Sequence, residues 1–174
     1  MGRIDFTIVM LKHEAGSLER RNPCKRGTLP QDAYVFSRAK PEPDQTVRMT
    51  EWLRQAARLG DEKAAHNLLE CGVNPNARDK HSETPLHLAA ANGRTIVASM
   101  LIERHADVNA LDDMGWTPLV MAASYGKLGV VRLLLENGAN IGSVGDSGET
   151  PLGVAIMWNH RKTADFLRSH GASE

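Results

Sequence analysis

The residues with the clearest chemical signature are Gly145-Asp146-Ser147-Gly148 (GDSG), which surround the nucleophilic serine in one class of serine hydrolases. Such a serine acts only with a histidine base, an aspartate that orients the base, and an oxyanion hole. A motif without that structural context is weak evidence for catalysis. A hydrolase using Ser147 is therefore kept only as an alternative, and the element that carries Ser147 decides its role.

No other pattern predicts catalysis or metal binding. His13-Glu14 lacks the second histidine of a zinc-protease helix, and the seven histidines do not pair at ligand spacings. Cys24 and Cys71 are far apart and lack a CxxC or Cys/His spacing, which favours two reduced thiols over a disulfide framework or a zinc site. The sequence predicts no catalytic residue, no metal site and no cofactor.

Composition limits the partners. The 174 residues contain 21 basic and 21 acidic side chains, so a whole-chain bias toward nucleic acid or anionic lipid is absent. The apolar run at residues 6–11 is too short for a signal peptide or a membrane span. We expect a protein partner, no membrane, a monomer, and an intracellular location that is cytoplasmic and in part nuclear. A nucleic-acid-associated regulator is the disfavoured alternative.

An internal repeat organises most of the chain. Thr-Pro-Leu begins at Thr84, Thr117 and Thr150, at two equal intervals, and alanines follow each triplet at matched offsets. A divergent first copy lies around Leu53. Threonine can cap a helix and proline fits its first turn, while a following glycine can end it, so each unit predicts two short helices. The predicted fold class is all-α.

The residues Thr84-Pro85-Leu86-His87-Leu88-Ala89 and Ala106-Asp107-Val108-Asn109-Ala110 resemble the signature of the ankyrin-repeat family, and the interval between the triplets agrees with the length of its repeat. The resemblance implies a solenoid of stacked helix-turn-helix units with short hairpin fingers. The predicted ankyrin-repeat domain is 46–174, after a non-repeat and irregular arm at 1–45. Its repeats are expected at 46–78 (the N-terminal cap), 79–111, 112–144 and 145–174 (the C-terminal cap).

Four single residues bear on this array. Arg168 stands where earlier copies have apolar residues, and Asn67 is the polar member of another column, so both are expected on outer faces of the capping repeats. Trp52 is expected in the core of the first repeat. His87 is expected to tie adjacent turns together by hydrogen bonds.

In ankyrin repeats the partner commonly meets the fingertips and the exposed ends of the inner helices. The large side chains at those positions fall in the third and fourth repeats, as do three acidic side chains that could orient a basic partner segment. The resulting hypothesis is a non-enzymatic interaction module, an adaptor, scaffold or inhibitor that binds through its concave face. The predicted partner-binding residues are Trp116, Tyr125, Trp158, Met114, Met157, Asp113, Asp146, Glu149, His81 and Asn92.

One modification is also suggested by resemblance. Leu101, Asp107, Val108 and Asn109 are arranged like the sites that intracellular asparagine hydroxylases modify in ankyrin repeats. The alternative is that Asn109 hydrogen-bonds within its own turn.

Overall fold

The computed structural model describes residues 43–173, with side chains from Thr46 onward. The predicted arm at 1–45 lies outside the described residues, except for Pro43 to Gln45, which begin the first helix. Within the described range the elements are all helical: α1 (Pro43–Leu59), α2 (Glu62–Glu70), α3 (Pro85–Asn92), α4 (Thr95–Glu103), α5 (Pro118–Ser124), α6 (Leu128–Glu136), α7 (Pro151–Met157) and α8 (Arg161–Ser169). The predicted all-α class is confirmed.

The helices form two layers. The inner helices α1, α3, α5 and α7 each contact the next inner helix, and the outer helices α2, α4, α6 and α8 do the same. Each inner helix also packs on the outer helix that follows it. Leu53, Leu86, Leu119 and Leu152 recur at one position of the inner helices and are fully buried. One repeat alone would leave this apolar surface in water, so stability comes from stacking.

The Thr-Pro pairs start the inner helices as predicted. The Thr117 hydroxyl accepts from the Val120 N–H at 3.3 Å, and the Thr150 hydroxyl accepts from the Gly153 N–H at 3.0 Å. Proline occupies the first turn of α3, α5 and α7, where its missing N–H costs no hydrogen bond.

Left-handed backbone recurs with the same period as the Thr-Pro pairs. Three sets of positions have positive φ: the ends of the inner helices (Gly60, Gly93, Gly126, Asn159), the ends of the outer helices (Gly72, His105, Gly138, Gly171), and the turns before the Thr-Pro pairs (Ser82, Gly115, Gly148). Glycine adopts this conformation without steric cost, whereas Ser82, His105 and Asn159 do not. The repeat imposes the backbone even where the side chain disfavours it.

The first repeat differs from the others. α1 has 17 residues and continues through positions 46–50, where the later repeats fold a turn. Trp52 occupies the position of the buried Pro85, but 45% of its surface is exposed and the Arg48 guanidinium lies 5.7 Å from its ring centroid. The prediction that Trp52 lies in the core is wrong, because the described chain is helical at 46–50, where the later repeats place a finger.

At the other end, Arg168 is exposed and its guanidinium lies 3.5 Å from the Asp165 carboxylate, as its predicted outer position requires. Asn67 is half-buried, like Met100 and Leu133 at the same position of α4 and α6. Its burial does not set Asn67 apart from the internal repeats, and its place on an outer face stays a prediction. Polar substitution at a half-buried position does not distinguish a terminal repeat from an internal one.

Candidate protein-binding face

Three hairpin turns project before the inner helices, and we name them the second finger (79–83), the third finger (112–116) and the fourth finger (145–149). In the third finger the Asp112 N–H donates to the Trp116 carbonyl oxygen at 3.0 Å, and in the fourth the Gly145 N–H donates to the Glu149 carbonyl oxygen at 2.8 Å. Adjacent fingers are joined because the Asp146 N–H donates to the Met114 carbonyl oxygen at 3.0 Å. The fingers form one continuous row.

Carboxylates shape each finger from within. Asp112 Oδ1 accepts from the Met114 N–H at 2.9 Å and from the Trp116 N–H at 2.8 Å. The fourth finger has Gly145 at that position, and there Glu149 Oε2 accepts from the Ser147 N–H at 3.2 Å. These contacts fix the backbone that presents the tip side chains, so the fingers hold their side chains in defined positions.

The second finger uses Asp79 in the same way, through Oδ1 contacts to the His81 N–H at 2.8 Å and the Glu83 N–H at 2.9 Å. Burial acts to raise the pKa of Asp79, but these two N–H donors and the paired Arg54 guanidinium hold it below its ordinary value. Burial and the charges of Asp79 and Asp112 raise the pKa of Glu83. The charged form of Asp79 is therefore favoured by its donors, whereas the charged form of Glu83 is disfavoured chiefly by burial.

Ser147 lies exposed at the tip of the fourth finger. Across residues 46–173 no histidine makes a hydrogen bond to Ser147, and its own contact is the backbone N–H donated to Glu149. A serine nucleophile needs a base within hydrogen-bond reach. The finger thus presents Ser147 as a surface residue.

Four of the predicted binding side chains leave half or more of their surface in solvent. The exposed fractions are 50% for Met114, 55% for Tyr125, 70% for Met157 and 59% for Trp158. Trp116 is half-buried and packs against the core. Leu111 and Val144, one repeat length apart at the bases of the third and fourth fingers, are exposed as well; they were missed because only the fingertips and the inner-helix ends were considered as contact positions.

Trp116, Asp146 and Glu149 lie where the third and fourth fingers meet. A Cβ placed on Gly145 would lie 2.8 Å from Trp116 Cδ1 and 2.7 Å from Glu149 Oε2, so both side chains cover the same point of the backbone. A Cβ on Gly115 would lie 3.0 Å from Asp146 Cγ. The absence of a Cβ at these two glycines lets the three side chains approach the finger backbone closely.

The remaining predicted residues take different roles. Asp113 is exposed, and its Oδ2 lies 3.4 Å from His81 Nδ1, which joins the second and third fingertips. The Asn92 side chain donates to the Leu88 carbonyl oxygen at 2.8 Å, one turn back on α3. His81 and Asp113 thus lie together, whereas the Asn92 amide is engaged with its own helix.

His87 and Asn109 connect neighbouring repeats. His87 is fully buried, its Nε2 donates to the Trp116 carbonyl oxygen, and burial lowers its pKa. Asn109 Nδ2 donates to the Gly138 carbonyl oxygen at 3.3 Å, while Oδ1 accepts from the Asn140 N–H at 2.8 Å. Both atoms of the Asn109 amide are therefore engaged with the next repeat, and hydroxylation of Asn109 stays a prediction.

Residues 46–173 contain no group of three His, Cys, Asp or Glu side chains that could hold a metal ion. None of the helices in the described part of the chain has the length and apolar character needed to cross a membrane.

One cysteine differs from expectation. Cys71 is disulfide-bonded, so the predicted reduced thiol is wrong at this position. Spacing in sequence alone did not reveal this bond.

Stacked pairs of antiparallel helices, joined by fingers and repeated at a constant interval, define a helical-repeat solenoid, a class whose extended surfaces bind other molecules. A family model described as ankyrin repeats (3 copies) matches residues 53–144. The chain belongs to the ankyrin-repeat family. Members are generally protein–protein interaction modules and are typically not enzymes. The match includes the divergent first copy, and α7 with α8 adds a fourth helix pair of the same construction.

Proposed function

We propose that this chain is a non-enzymatic adaptor, scaffold or inhibitor that binds another protein through the concave face formed by its fingertips and inner-helix ends. The observation that carries the proposal is the exposure of Met114, Tyr125, Met157 and Trp158, all in the third and fourth repeats. Clustered exposed apolar side chains mark contact sites, and tyrosine and tryptophan are favoured as anchors.

The inner-helix ends form the centre of this face. Tyr125 and Trp158 follow α5 and α7 directly and stand one repeat length apart, so they occupy the same position in adjacent repeats. Inner helices pack at roughly 8–10 Å, which brings the two rings within reach of one partner segment. Trp116 contributes its half-buried ring at the finger side of the same two repeats.

The partner is identified by affinity capture from the native cells with mass spectrometry, comparing the wild type with a Tyr125→Ala/Trp158→Ala variant. Both side chains are more than half exposed, so the variant should keep its fold, and circular dichroism checks this. Ile96→Ala is the matched control, since Ile96 is 54% exposed but lies on the outer helix α4. Partner recovery should fall only in the double variant. Equal recovery from the folded double variant would overturn the proposal.

We also propose that the protein acts inside the cell, in the cytoplasm and in part in the nucleus, as a monomer. Intracellular adaptor roles are common among ankyrin-repeat proteins, which supports this location, whereas the disulfide at Cys71 is typical of an oxidising compartment and makes the test decisive. Fractionation of native cells followed by sizing of the endogenous protein tests it, and recovery of the protein in the culture medium would contradict it.

A further inference from the structure

The side chains of Trp116, Asp146 and Glu149, which we name the Trp116 cluster, carry uncompensated negative charge. Within residues 46–173 no lysine, arginine or histidine forms an ion pair with Asp146 or Glu149. The indole Nε1–H likewise makes no hydrogen bond in that range. Two carboxylates and an aromatic ring thus lie where the third and fourth fingers meet, and no cation of the described residues pairs with either carboxylate.

The surrounding face also lacks positive charge. The fingertip and inner-helix-end positions of the third and fourth repeats include no lysine or arginine: they are Asp113, Met114, Trp116, Ser124, Tyr125, Asp146, Ser147, Glu149, Met157 and Trp158. A cationic group from a partner would complement the negative charge of Asp113, Asp146 and Glu149 on this face.

We infer that the Trp116 cluster binds the guanidinium group of an arginine in a segment of the partner protein, an inference that rests on the function proposed above. The planar guanidinium stacks on the exposed part of the indole and donates N–H groups to the Asp146 and Glu149 carboxylates. Arginine suits this site better than lysine because its planar group both stacks on aromatic rings and pairs with carboxylates in a fixed geometry.

The length of α7 predicts how far apart the two contacting residues of the partner segment lie. α7 has seven residues, which places Trp158 about 10 Å from the base of its finger at 1.5 Å per residue. An extended chain rises about 3.3 Å per residue, so about three residues span that distance. The inferred segment has an arginine, with an apolar residue about three positions away that contacts Tyr125 and Trp158.

The test uses the full chain labelled with ¹⁵N and an octapeptide, Gly-Ser-Arg-Ala-Ala-Leu-Ser-Gly, followed through the tryptophan indole N–H resonances. The Trp116 resonance is assigned with Trp116→Phe. The same peptide with citrulline in place of arginine keeps the shape and removes the charge. We expect a saturable shift of the Trp116 resonance with the arginine peptide and about tenfold weaker binding of the citrulline peptide, since charge-assisted hydrogen bonds are lost.

Protein variants separate the local site from overall charge. Asp146→Asn/Glu149→Gln should weaken binding of the arginine peptide by about tenfold and leave the citrulline peptide unchanged. Glu136→Gln/Asp165→Asn makes the same change in net charge on the exposed surface of α6 and α8, and it should bind like the wild type. Equal affinity for the two peptides, wild-type affinity of the first variant, or no saturable shift would each overturn the inference. Partner loss in Tyr125→Ala/Trp158→Ala would stand regardless, because it depends on the apolar contacts alone.

Discussion

His87 Nε2 donates a hydrogen bond to the Trp116 carbonyl oxygen at 3.1 Å, and this contact links the start of α3 to the third finger. On its other side, His87 Nδ1 accepts from the Thr84 N–H at 3.1 Å. The imidazole is fully buried, so its removal leaves two backbone groups unpaired and a cavity. The finger that carries Trp116 is held in place by a histidine of the preceding repeat.

His87→Ala should lower the free energy of unfolding by about 2–4 kcal/mol, because it combines a cavity with unpaired buried polar groups. Urea denaturation measures this. Val120→Ala is the control, since Val120 holds the same position in the third repeat and is equally buried but loses only apolar contacts. A loss for His87→Ala no larger than that for Val120→Ala would contradict the role assigned to the hydrogen bonds.

Stability should also depend on pH through His87. Burial lowers the pKa of His87 in the folded state from its ordinary value of 6.5, so the unfolded chain binds a proton more readily. The stabilisation from neutral His87 is fully present above the unfolded pKa and is lost as the pH falls through it toward the folded pKa. Unfolding measured from pH 7.5 down to pH 5, values chosen to bracket the ordinary histidine pKa, should show a smaller loss in His87→Val. Parallel pH profiles would refute this.

Alanine substitutions at two glycines with positive φ distinguish the cost of backbone strain from the cost of a side-chain clash. Gly126 has φ 63°, and a Cβ there would lie 2.6 Å from His160 Cγ, whereas Gly138 has φ 84° and no neighbour within 4 Å of its Cβ position. Gly138→Ala should cost about 1 kcal/mol from φ alone. Gly126→Ala should cost about 1–3 kcal/mol more, because His160 must move. Thermal and urea unfolding compare the two, and equal losses would show that His160 yields freely.

His105→Gly should stabilise the protein. His105 has φ 64° at a position that is glycine in the other three repeats, and its side chain is exposed. Relief of the left-handed strain should raise the free energy of unfolding by about 0.5–1 kcal/mol. Asn159→Gly, at φ 58°, should give a smaller gain because asparagine tolerates this conformation. Thermal unfolding measures this, and a His105→Gly variant that unfolds at the same or a lower temperature than the wild type would contradict the prediction.

Asn109→Ala should lower the free energy of unfolding by about 1–2 kcal/mol, because it removes two hydrogen bonds to the next repeat at an exposed site. Urea denaturation gives the value, and an unchanged midpoint would show that water replaces both contacts. The hydroxylation hypothesis has a separate test, the mass of the Asn109 peptide from native protein. A mass without one added oxygen would remove it for that source.

Much of the fold could be predicted because its signals are local and repeated. Thr-Pro pairs, buried leucines and glycines recur at a constant interval, and each predicts the same backbone in every copy. The first repeat was less predictable, because the missing Thr-Pro pair lets α1 run on from Pro43 and leaves Trp52 uncovered. The residue type of His105 does not predict its left-handed backbone either, because histidine disfavours that conformation and only the surrounding repeat imposes it.

The candidate face was predictable by position but not by packing. The register placed Tyr125, Met157 and Trp158 at inner-helix ends, and all three are exposed. It did not reveal that Trp116 lies against Gly145 beside Glu149, because that contact depends on how adjacent fingers approach in three dimensions. The repeat register predicts where a side chain lies within its own repeat. Which side chains it contacts in the neighbouring repeat depends on how closely the repeats pack.

Among the described residues, the helix that stands in place of a first finger limits the row of fingertips to three. Three fingers spaced at roughly 8–10 Å make a row about 20 Å long, and about six residues of extended chain would span it. Past the second finger such a chain would meet the flank of α1 at Val47, where the backbone is helical and offers no further turn. A short linear motif is therefore enough to occupy the whole row, and the partner need not present a folded domain there.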